Sequence, residues 1–201
     1  MKIAIVKYNA GNIQSVIYAL NRLGIEPIVT DDEAELRAAD KVIFPGVGEA
    51  STAMNYLREA GLDKVLPTLT NPFLGICIGL QLMCAHSEEG NTDCLGIFPV
   101  NVVKFPDGVD QKGDTIKVPH MGWNRLKDLS TPLFEGIDPA HAYVYYVHSY
   151  HAELSESTIA KTDYIVDYSA SLHRDNFYAV QFHPEKSGET GAKILENFLK
   201  L

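Results

Sequence analysis

Short apolar runs alternate with segments of helical periodicity through the first half of this 201-residue chain. The runs that have the length of buried strands cover 2–6, 25–30, 41–44 and 72–76. Between them, apolar residues recur at steps of three and four, first from Ile13 to Leu23 and again from Ala50 to Leu57. Strands that alternate with helices predict a parallel sheet covered by helices on both faces.

The second half has a different pattern, in which strand-like segments follow one another with polar turns between them. These segments cover 98–105, 116–118, 143–148, 164–168 and 177–182. A last helix, with Ile194 and Phe198 on its apolar face, ends the chain. We therefore expect an α/β fold with a mostly parallel central sheet flanked by helices, additional antiparallel strands in the second half, and a single domain over residues 1–201.

The charge and the cysteine content narrow the classes of function. With 17 basic and 26 acidic residues, the net charge of −9 repels phosphate backbones, so a nucleic-acid partner is not expected. The longest apolar stretch, 72–85, is interrupted by Gln81 and is too short to span a bilayer. Three cysteines without a framework spacing fit a reducing compartment, so we expect a cytoplasmic protein.

The segment from Gly75 to Gly79 has the pattern Gly-x-Cys-x-Gly between a buried strand and a helix. This pattern is typical of a sharp turn that presents a nucleophile, here Cys77. The start of a helix favours a thiolate, which is the reactive form of cysteine. The alternative is a buried structural cysteine, which is the role we expect for Cys84 and Cys94.

A thiol nucleophile needs a base, and His183-Pro184-Glu185 has a suitable spacing. Proline favours an extended residue before it, and in an extended segment residues two apart point to the same side. Glu185 is therefore expected to hold one imidazole nitrogen of His183 while the other faces Cys77. On its own this tripeptide is an ordinary strand end; together with the cysteine turn it predicts a Cys–His–Glu triad.

Two other segments contain residues that occur in metal sites or phosphate-binding loops, but neither segment has the full pattern. His148 and His151 lie close in sequence, but no third ligand stands at a spacing known from zinc sites. The glycine-containing segment 45–48 lacks the Lys-Ser/Thr that follows in a phosphate-binding loop. We expect neither a metal nor a cofactor.

Taken together, the motifs resemble a known family. Pro-Gly-Val-Gly at 45–48, Gly-Ile-Cys-Ile-Gly-Leu-Gln at 75–81 and His-Pro-Glu at 183–185 are similar to the class I, triad-type glutamine amidotransferases. The segments 8–12, 119–124 and 147–150 are similar to the glutaminase subunits of imidazole glycerol phosphate synthases, which act in histidine biosynthesis. The resemblance runs from the first strand to the last helix.

This resemblance implies an amide hydrolase. Cys77 would attack the side-chain amide of glutamine, His183 would protonate the leaving ammonia and then activate water, and Glu185 would orient His183. The implied oxyanion hole consists of backbone donors at Val47, Gly48 and Ile78. The implied substrate-binding residues are Gly46, Gln81, Glu89, His148, Ser149 and Tyr150.

The resemblance also implies a partner, a (βα)8-barrel cyclase subunit in a heterodimer. Ammonia would enter the barrel, where imidazole glycerol phosphate and aminoimidazole carboxamide ribonucleotide are formed. The implied interface residues are Asn12, Met121, Trp123 and Lys186. Two glycines in the segment 45–48 allow a peptide plane to turn at low steric cost, so we expect hydrolysis to depend on the partner. Two alternatives stay open. Trp123 could belong to the core and not to an interface, and the glycines at 45–48 could serve only to make a tight turn between a strand and a helix.

Other functions are compatible with the same triad. The nearest is a glutaminase subunit for another pathway, such as vitamin B6 or anthranilate synthesis, although the segment 119–124 argues against it. A second is a free-standing γ-glutamyl hydrolase that transfers no ammonia. A third is a non-catalytic interaction protein with a decayed site, which the intact triad disfavours.

Overall fold

The first half of the chain forms the parallel sheet that its pattern predicts. The computed structural model describes residues 1–8, 13–109, 113 and 115–201. Its first four strands are β1 (Ile3–Val6), β2 (Ile28–Thr30), β3 (Lys41–Phe44) and β4 (Phe73–Ile76). They lie in the order β2–β1–β3–β4, and every neighbouring pair is parallel.

Within the described residues, five helices follow these strands. They are α1 (Ile13–Arg22), α2 (Glu33–Ala38), α3 (Ala50–Glu59), α4 (Leu62–Val65) and α5 (Ile78–Met83). Two of them, α2 and the short α4, were not predicted. The unpredicted α2 buries only Leu36, too little for a periodic apolar face. Asp32 caps it by accepting a hydrogen bond from the Glu35 N–H at 2.9 Å. The sequence signal for the start of this helix was therefore Asp32, an acidic residue three positions before Glu35.

The second half adds strands to the far side of this sheet. Within the described residues they are β5 (His86–Ser87), β6 (Thr92–Asp93), β7 (Asn101–Lys104), β8 (Gly108–Val109), β9 (Thr115–Ile116), β10 (His120–Arg125), β11 (Tyr143–His148), β12 (Tyr150–Ala152), β13 (Thr158–Asp163), β14 (Asp167–Arg174) and β15 (Phe177–Val180). β15 pairs parallel with β4, and the order continues β14–β12–β7–β5–β6, with β13 on β14. The pairs of β14 with β15, β12 and β13 are antiparallel, which confirms the predicted fold class.

Two strand pairs stand apart from this sheet. β8 and β9 form a short hairpin. β10 and β11 form an antiparallel ribbon of six residue pairs, from His120↔His148 to Arg125↔Tyr143. We call β10 and β11 the surface ribbon.

Several predicted boundaries differ from the structure. The predicted strand at 164–168 is correct only at Asp167 and Tyr168, where β14 begins, because Ile165 has a φ of 61° in the turn that joins β13 to β14. A bulky β-branched residue at positive φ is uncommon, and nothing in the local sequence indicates it. The predicted strands 25–30 and 98–105 begin only at Ile28 and Asn101. The strands β5, β6, β8, β10, β12 and β13 were not predicted.

Helices cover both faces of the parallel strands, as predicted. Along β1, Ile3 and Ile5 pack on the side of α1 and of α6 (Gly188–Lys200), whereas Ala4 and Val6 pack on the side of α2 and α3. All four side chains are fully buried, so the two-residue period of a strand feeds two cores. Within the described residues, no helix is long and apolar enough to cross a membrane.

This architecture brings three chain segments to one edge of the sheet. The carboxyl ends of β3, β4 and β15 lead directly into 45–49, Cys77 and His183. In sheets of this kind, ligands bind beyond the carboxyl ends of the strands. The residues of the predicted triad are therefore neighbours, although 106 positions separate Cys77 from His183 in the sequence.

Candidate active site

Cys77 occupies the turn between β4 and α5 in an uncommon backbone conformation. Its φ is 55° and its ψ is −110°, a combination that a residue with a Cβ atom rarely adopts. The Cys77 N–H donates to the Val180 carbonyl at 2.8 Å, which ties the turn to the end of β15. The predicted sharp turn is present, and such strain is typical of functional sites.

Gly75 and Gly79 permit this turn because neither position has room for a side chain. A Cβ atom on Gly79 would lie 2.0 Å from the Phe44 carbonyl oxygen, and one on Gly75 would lie 2.4 Å from the Met83 sulfur. The Phe44 carbonyl cannot move easily, because Phe44 is paired with Gly75 across β3 and β4. The spacing Gly-x-Cys-x-Gly is therefore a steric requirement of this site.

His183 and Glu185 form a buried pair next to this turn. Their Nδ1 and Oε1 atoms are 2.7 Å apart. His183 has the expected extended backbone, with φ −98° and ψ 94°. The prediction that Glu185 continues an extended segment is wrong, since Pro184–Lys186 is a 3-10 turn. The turn curls the carboxylate back onto the imidazole, so the predicted contact is made by a different geometry.

The hydrogen bond to Glu185 determines which imidazole nitrogen faces the sulfur. A carboxylate oxygen only accepts, so Nδ1 of His183 carries the proton. Nε2 is buried and has no full hydrogen bond to any described residue. Burial alone would lower the pKa of His183, but the Cys77 thiol and the Glu185 carboxylate together raise it to about 10. The surroundings of His183 therefore favour its protonated form.

Gln181 lies next to the Cys77 sulfur, and it was not among the site residues predicted from the sequence. Its Nε2 is 3.8 Å from the Cys77 Sγ, and its Oε1 accepts from Gln81 Nε2 at 3.0 Å. Gln81 Nε2 also donates to the Tyr150 carbonyl at 2.9 Å. Because Gln81 supplies the proton, the Gln181 oxygen must face Gln81 and its NH₂ group must face the sulfur. The available signal was its position two residues before His183, on the same side of the chain.

A cavity of about 370 Å³ opens beside Cys77. Its lining contains most of the predicted binding residues, namely Val47, Gly48, Ile78, Gln81, Glu89, His148, Ser149 and Tyr150, with Pro119 and Val147 in addition. Gly46 does not line it: a Cβ atom there would lie 1.9 Å from the Tyr8 hydroxyl. Its role in substrate binding stays a prediction.

Two polar residues of the cavity already have protein partners. Glu89 Oε2 accepts the Ala50 N–H at 2.8 Å, and partial burial raises the pKa of this carboxyl. His148 donates from Nδ1 to the Tyr150 carbonyl at 2.8 Å, and its Nε2 is 3.2 Å from the Tyr168 hydroxyl. Burial lowers the pKa of His148 to about 3, so this imidazole is neutral. His148 thus shapes the cavity wall without carrying charge.

The segment after β3 supplies backbone groups at the cavity. Gly48 has a φ of 129°, which favours glycine. The Tyr8 hydroxyl donates to the Pro45 carbonyl at 2.7 Å and holds the start of this segment. The Ile78 N–H lies in the first turn of α5, where a helix offers it no partner. Val47, Gly48 and Ile78 line the same cavity as Cys77, where an oxyanion would require backbone donors.

The other two cysteines are in a different environment. Cys84 is fully buried, and Cys94 packs partly buried against the same core. Burial raises the pKa of the Cys84 thiol well above its usual value and that of Cys94 to about 12. Thiols of this kind are poor nucleophiles, because little thiolate exists at neutral pH.

The predicted interface residues lie on the outer face of the surface ribbon and beside it. Trp123 is 57 % exposed and Met121 63 % exposed, so the alternative of a core tryptophan is wrong. The Trp123 ring packs edge-on against Tyr145, with 6.1 Å between the ring centroids. Lys186 is also exposed. The predicted interface residue Asn12 lies outside the described residues.

A family model described as glutamine amidotransferase class-I matches residues 4–201. The chain is similar to imidazole glycerol phosphate synthase subunit HisH of Bacteroides fragilis, with 58 % identity over 100 % of both chains. The HisH subunit of Bacteroides thetaiotaomicron is 57 % identical over 100 % of both chains. That of Idiomarina loihiensis is 41 % identical over 100 % of this chain and 98 % of the relative.

Solved structures support the fold. A GMP synthase subunit from Thermoplasma acidophilum has a TM-score of 0.73 and 21 % identity, covering 100 % of this chain and 92 % of that one. A structure described as a glutamine amidotransferase has a TM-score of 0.74 and 19 % identity, covering 98 % and 97 %. At such identities the likeness concerns the fold alone.

The buried pair makes a prediction about the pKa of His183. Replacing Glu185 with Gln removes the negative charge that favours the imidazolium, so the pKa of His183 should fall below its wild-type value. NMR titration of ¹⁵N-labelled histidine measures it. Glu189→Gln, which removes an exposed carboxylate in the first turn of α6, is the matched control and should leave the midpoint in place. Equal midpoints in the two variants would contradict the assigned pairing.

Proposed function

Because the chain belongs to the class I glutamine amidotransferase family, we propose that it hydrolyses L-glutamine as the glutaminase subunit of an imidazole glycerol phosphate synthase. The observation that carries this proposal is the strained Cys77 turn beside the His183–Glu185 pair. The HisH relatives, 57–58 % identical over the whole chain, support the choice of synthase. In this proposal residues 1–201 act as one domain in the cytoplasm.

The first half of the reaction makes a thioester. With the Cys77 proton held on Nε2 of His183, the thiolate attacks the side-chain amide carbon of glutamine. The amide oxygen becomes an oxyanion. His183 then protonates the amide nitrogen, the carbon–nitrogen bond breaks, and ammonia leaves. The γ-glutamyl group remains on the sulfur.

The second half releases glutamate. His183, now neutral at Nε2, takes a proton from a water molecule that attacks the thioester carbon. The carbon–sulfur bond breaks, and Cys77 recovers its proton from His183. Glu185 keeps Nδ1 protonated through both halves, so that Nε2 alone exchanges protons with substrate and water.

Two backbone regions are proposed to stabilise the oxyanion. Ile78 lines the cavity beside Cys77, and so do Val47 and Gly48, whose N–H groups are the other proposed donors. One such donor contributes about 2.7–4 kcal/mol, or a factor of about 100–1,000 in rate. The tie between Tyr8 and the Pro45 carbonyl leaves the peptide planes after Gly46 as the part that can turn. Turning one of them would switch hydrolysis on.

The substrate's amino-acid end is proposed to bind at the opposite wall of the cavity. The Ala50 N–H holds the Glu89 carboxylate at this wall, where it can receive the substrate ammonium. The strip Ser149–Tyr150 lies beside it. Gln81 and His148 hold this strip through the Tyr150 carbonyl. These two residues therefore act on glutamine mainly by shaping the strip.

The ammonia is proposed to pass to a (βα)8-barrel cyclase subunit in a heterodimer. There it would be incorporated into imidazole glycerol phosphate, with aminoimidazole carboxamide ribonucleotide as the second product. Met121 and Trp123 support a docking surface here, because large apolar side chains of this exposure anchor interfaces. Lys186 follows Glu185 directly, so this surface borders the triad. Asn12 is proposed for the same interface.

Replacing Cys77 with Ala tests the proposed chemistry. Ammonia release from glutamine should fall by at least about 1,000-fold, because the covalent route is lost. Cys84→Ala and Cys94→Ala are the matched controls and should keep the rate within about a factor of two, since neither thiol is reactive. The assay is steady-state ammonia production with the cyclase subunit present. A substantial rate in Cys77→Ala, or a collapse in either control, would reject Cys77 as the nucleophile.

The proposed partner makes a second prediction. The chain alone should hydrolyse glutamine slowly, and the cyclase subunit with its nucleotide ligand should raise the rate by about 100–1,000-fold if one oxyanion donor turns into place. Trp123→Ala should need more cyclase subunit for the same stimulation, with little change in melting temperature, because Trp123 is exposed. Stimulation is measured as ammonia production against subunit concentration.

Leu154→Ala is the control for this experiment. Leu154 is 46 % exposed and lies outside the surface ribbon, so its loss should leave the stimulation curve unchanged. A fully active isolated chain would point instead to a free-standing γ-glutamyl hydrolase. Identical curves for Trp123→Ala and wild type would remove Trp123 from the interface.

A further inference from the structure

The backbone of His183 is not held by the main sheet. The last bond of this segment to the sheet runs from the Gln181 N–H to the Ala170 carbonyl, at 2.9 Å. Two residues later, the His183 N–H donates to the Tyr145 carbonyl in β11 of the surface ribbon, also at 2.9 Å. The base therefore stands on a different structural element from the nucleophile.

Ser187 supplies a second link between His183 and the ribbon. Its hydroxyl donates to the His183 carbonyl at 2.6 Å and accepts the Tyr145 N–H at 2.9 Å. In an antiparallel pair, two residues exchange both N–H···O bonds directly. Here one bond is direct and the Ser187 hydroxyl relays the other, so His183 and Tyr145 are paired through a side chain.

The position of Ser187 in the chain shows that this use of its hydroxyl is specific. Ser187 occupies the N-cap position of α6, where a serine usually bonds an N–H of the first helical turn. It makes no such capping bond. Its hydroxyl is directed at His183 instead, and the side chain is 1 % exposed. The first turn of α6 therefore has no side-chain cap from Ser187, and the Ser187 hydroxyl holds the backbone of His183 instead.

The surroundings of Ser187 leave it little freedom. Its N–H donates to the Pro184 carbonyl at 3.1 Å, and its carbonyl accepts the Gly191 N–H at 3.0 Å. A Cβ atom on Gly191 would lie 2.0 Å from the Pro184 oxygen, so α6 packs directly on this turn. Ser187 is thus a fixed point between α6, the ribbon and the triad.

We propose that Ser187 is a positioning residue that fixes His183 to the surface ribbon. The inference rests on the proposed function, in which His183 is the base. The other side of Tyr145 packs against the exposed Trp123. The His183 carbonyl also accepts the Lys186 N–H at 3.0 Å, within the turn that follows it. A partner that moves the ribbon therefore moves the two hydrogen bonds that join the His183 backbone to Tyr145, one directly and one through the Ser187 hydroxyl. This route is separate from the oxyanion segment at 45–48.

Ser187→Ala tests the proposal, since it removes only the hydroxyl. A displacement of the base by about 1 Å costs on the order of 100-fold in rate, so kcat for glutamine should fall by about 10- to 100-fold. KM should change by less than about twofold, because the cavity residues are untouched. Ser187→Thr, which keeps a hydroxyl, should restore most of kcat. Both variants are assayed alone and with the cyclase subunit.

Ser171→Ala is the matched control. Its hydroxyl is also buried and donates to a backbone carbonyl, that of Ala179, at 2.7 Å, but it does not bond to the triad. It should lose a similar amount of stability and keep wild-type kcat. If Ser187→Ala does not fold, Ser187→Cys replaces it, because a thiol is a weaker donor and acceptor of the same shape. Its kcat should lie below that of Ser187→Thr.

The outcomes separate this inference from the proposed function. Wild-type protein that releases no ammonia with or without the cyclase subunit would reject the proposed function. Active wild-type protein, with Ser187→Ala equal to Ser171→Ala in kcat, would overturn the positioning role alone. A rise in KM without a fall in kcat would overturn it as well.

Discussion

The site depends on one steric constraint, the positive φ of Cys77 in the turn between β4 and α5. The chain can adopt this conformation because the positions two residues before and after Cys77 are glycines. Gly75 lies against the Met83 sulfur, and Gly79 lies against the Phe44 carbonyl. The constraint places the buried Cys77 in the lining of the cavity, next to the first turn of α5, whose N–H groups have no partner within the helix. The cavity, the buried base and the parallel strand β15 are all arranged around that sulfur.

The triad joins two parts of the molecule. Cys77 belongs to the main sheet through β4, whereas His183 takes both of its cross-strand backbone contacts from Tyr145 in the surface ribbon. The outer face of that ribbon carries exposed aromatic and apolar side chains. A protein that binds this face contacts the element that positions the base. In the proposed function, these few hydrogen bonds and the Ser187 side chain would link hydrolysis to partner binding.

Local patterns in the sequence predicted the nucleophile turn and the fold class. Gly75 and Gly79 lie within two residues of Cys77, and His183 lies two residues from Glu185, so both patterns are visible in short segments of sequence. The contact that requires Gly79, with the Phe44 carbonyl, is tertiary. The turn at Ile165 could not be predicted, because a β-branched residue rarely adopts a positive φ and nothing in the local sequence indicates one. Gln181 carried only a weak positional signal. The role of Ser187 was hidden, since a serine before a helix predicts an N-cap.

The central claim is that glutamine is cleaved through a thioester on Cys77. Rapid acid quenching of the enzyme with its cyclase subunit during turnover, followed by mass spectrometry of the Cys77 peptide, tests it most directly. The account predicts one glutamyl group on that peptide in the wild type and none on the peptides that contain Cys84 or Cys94. Sustained ammonia release without a glutamyl group on Cys77, or with the group on another residue, would contradict it.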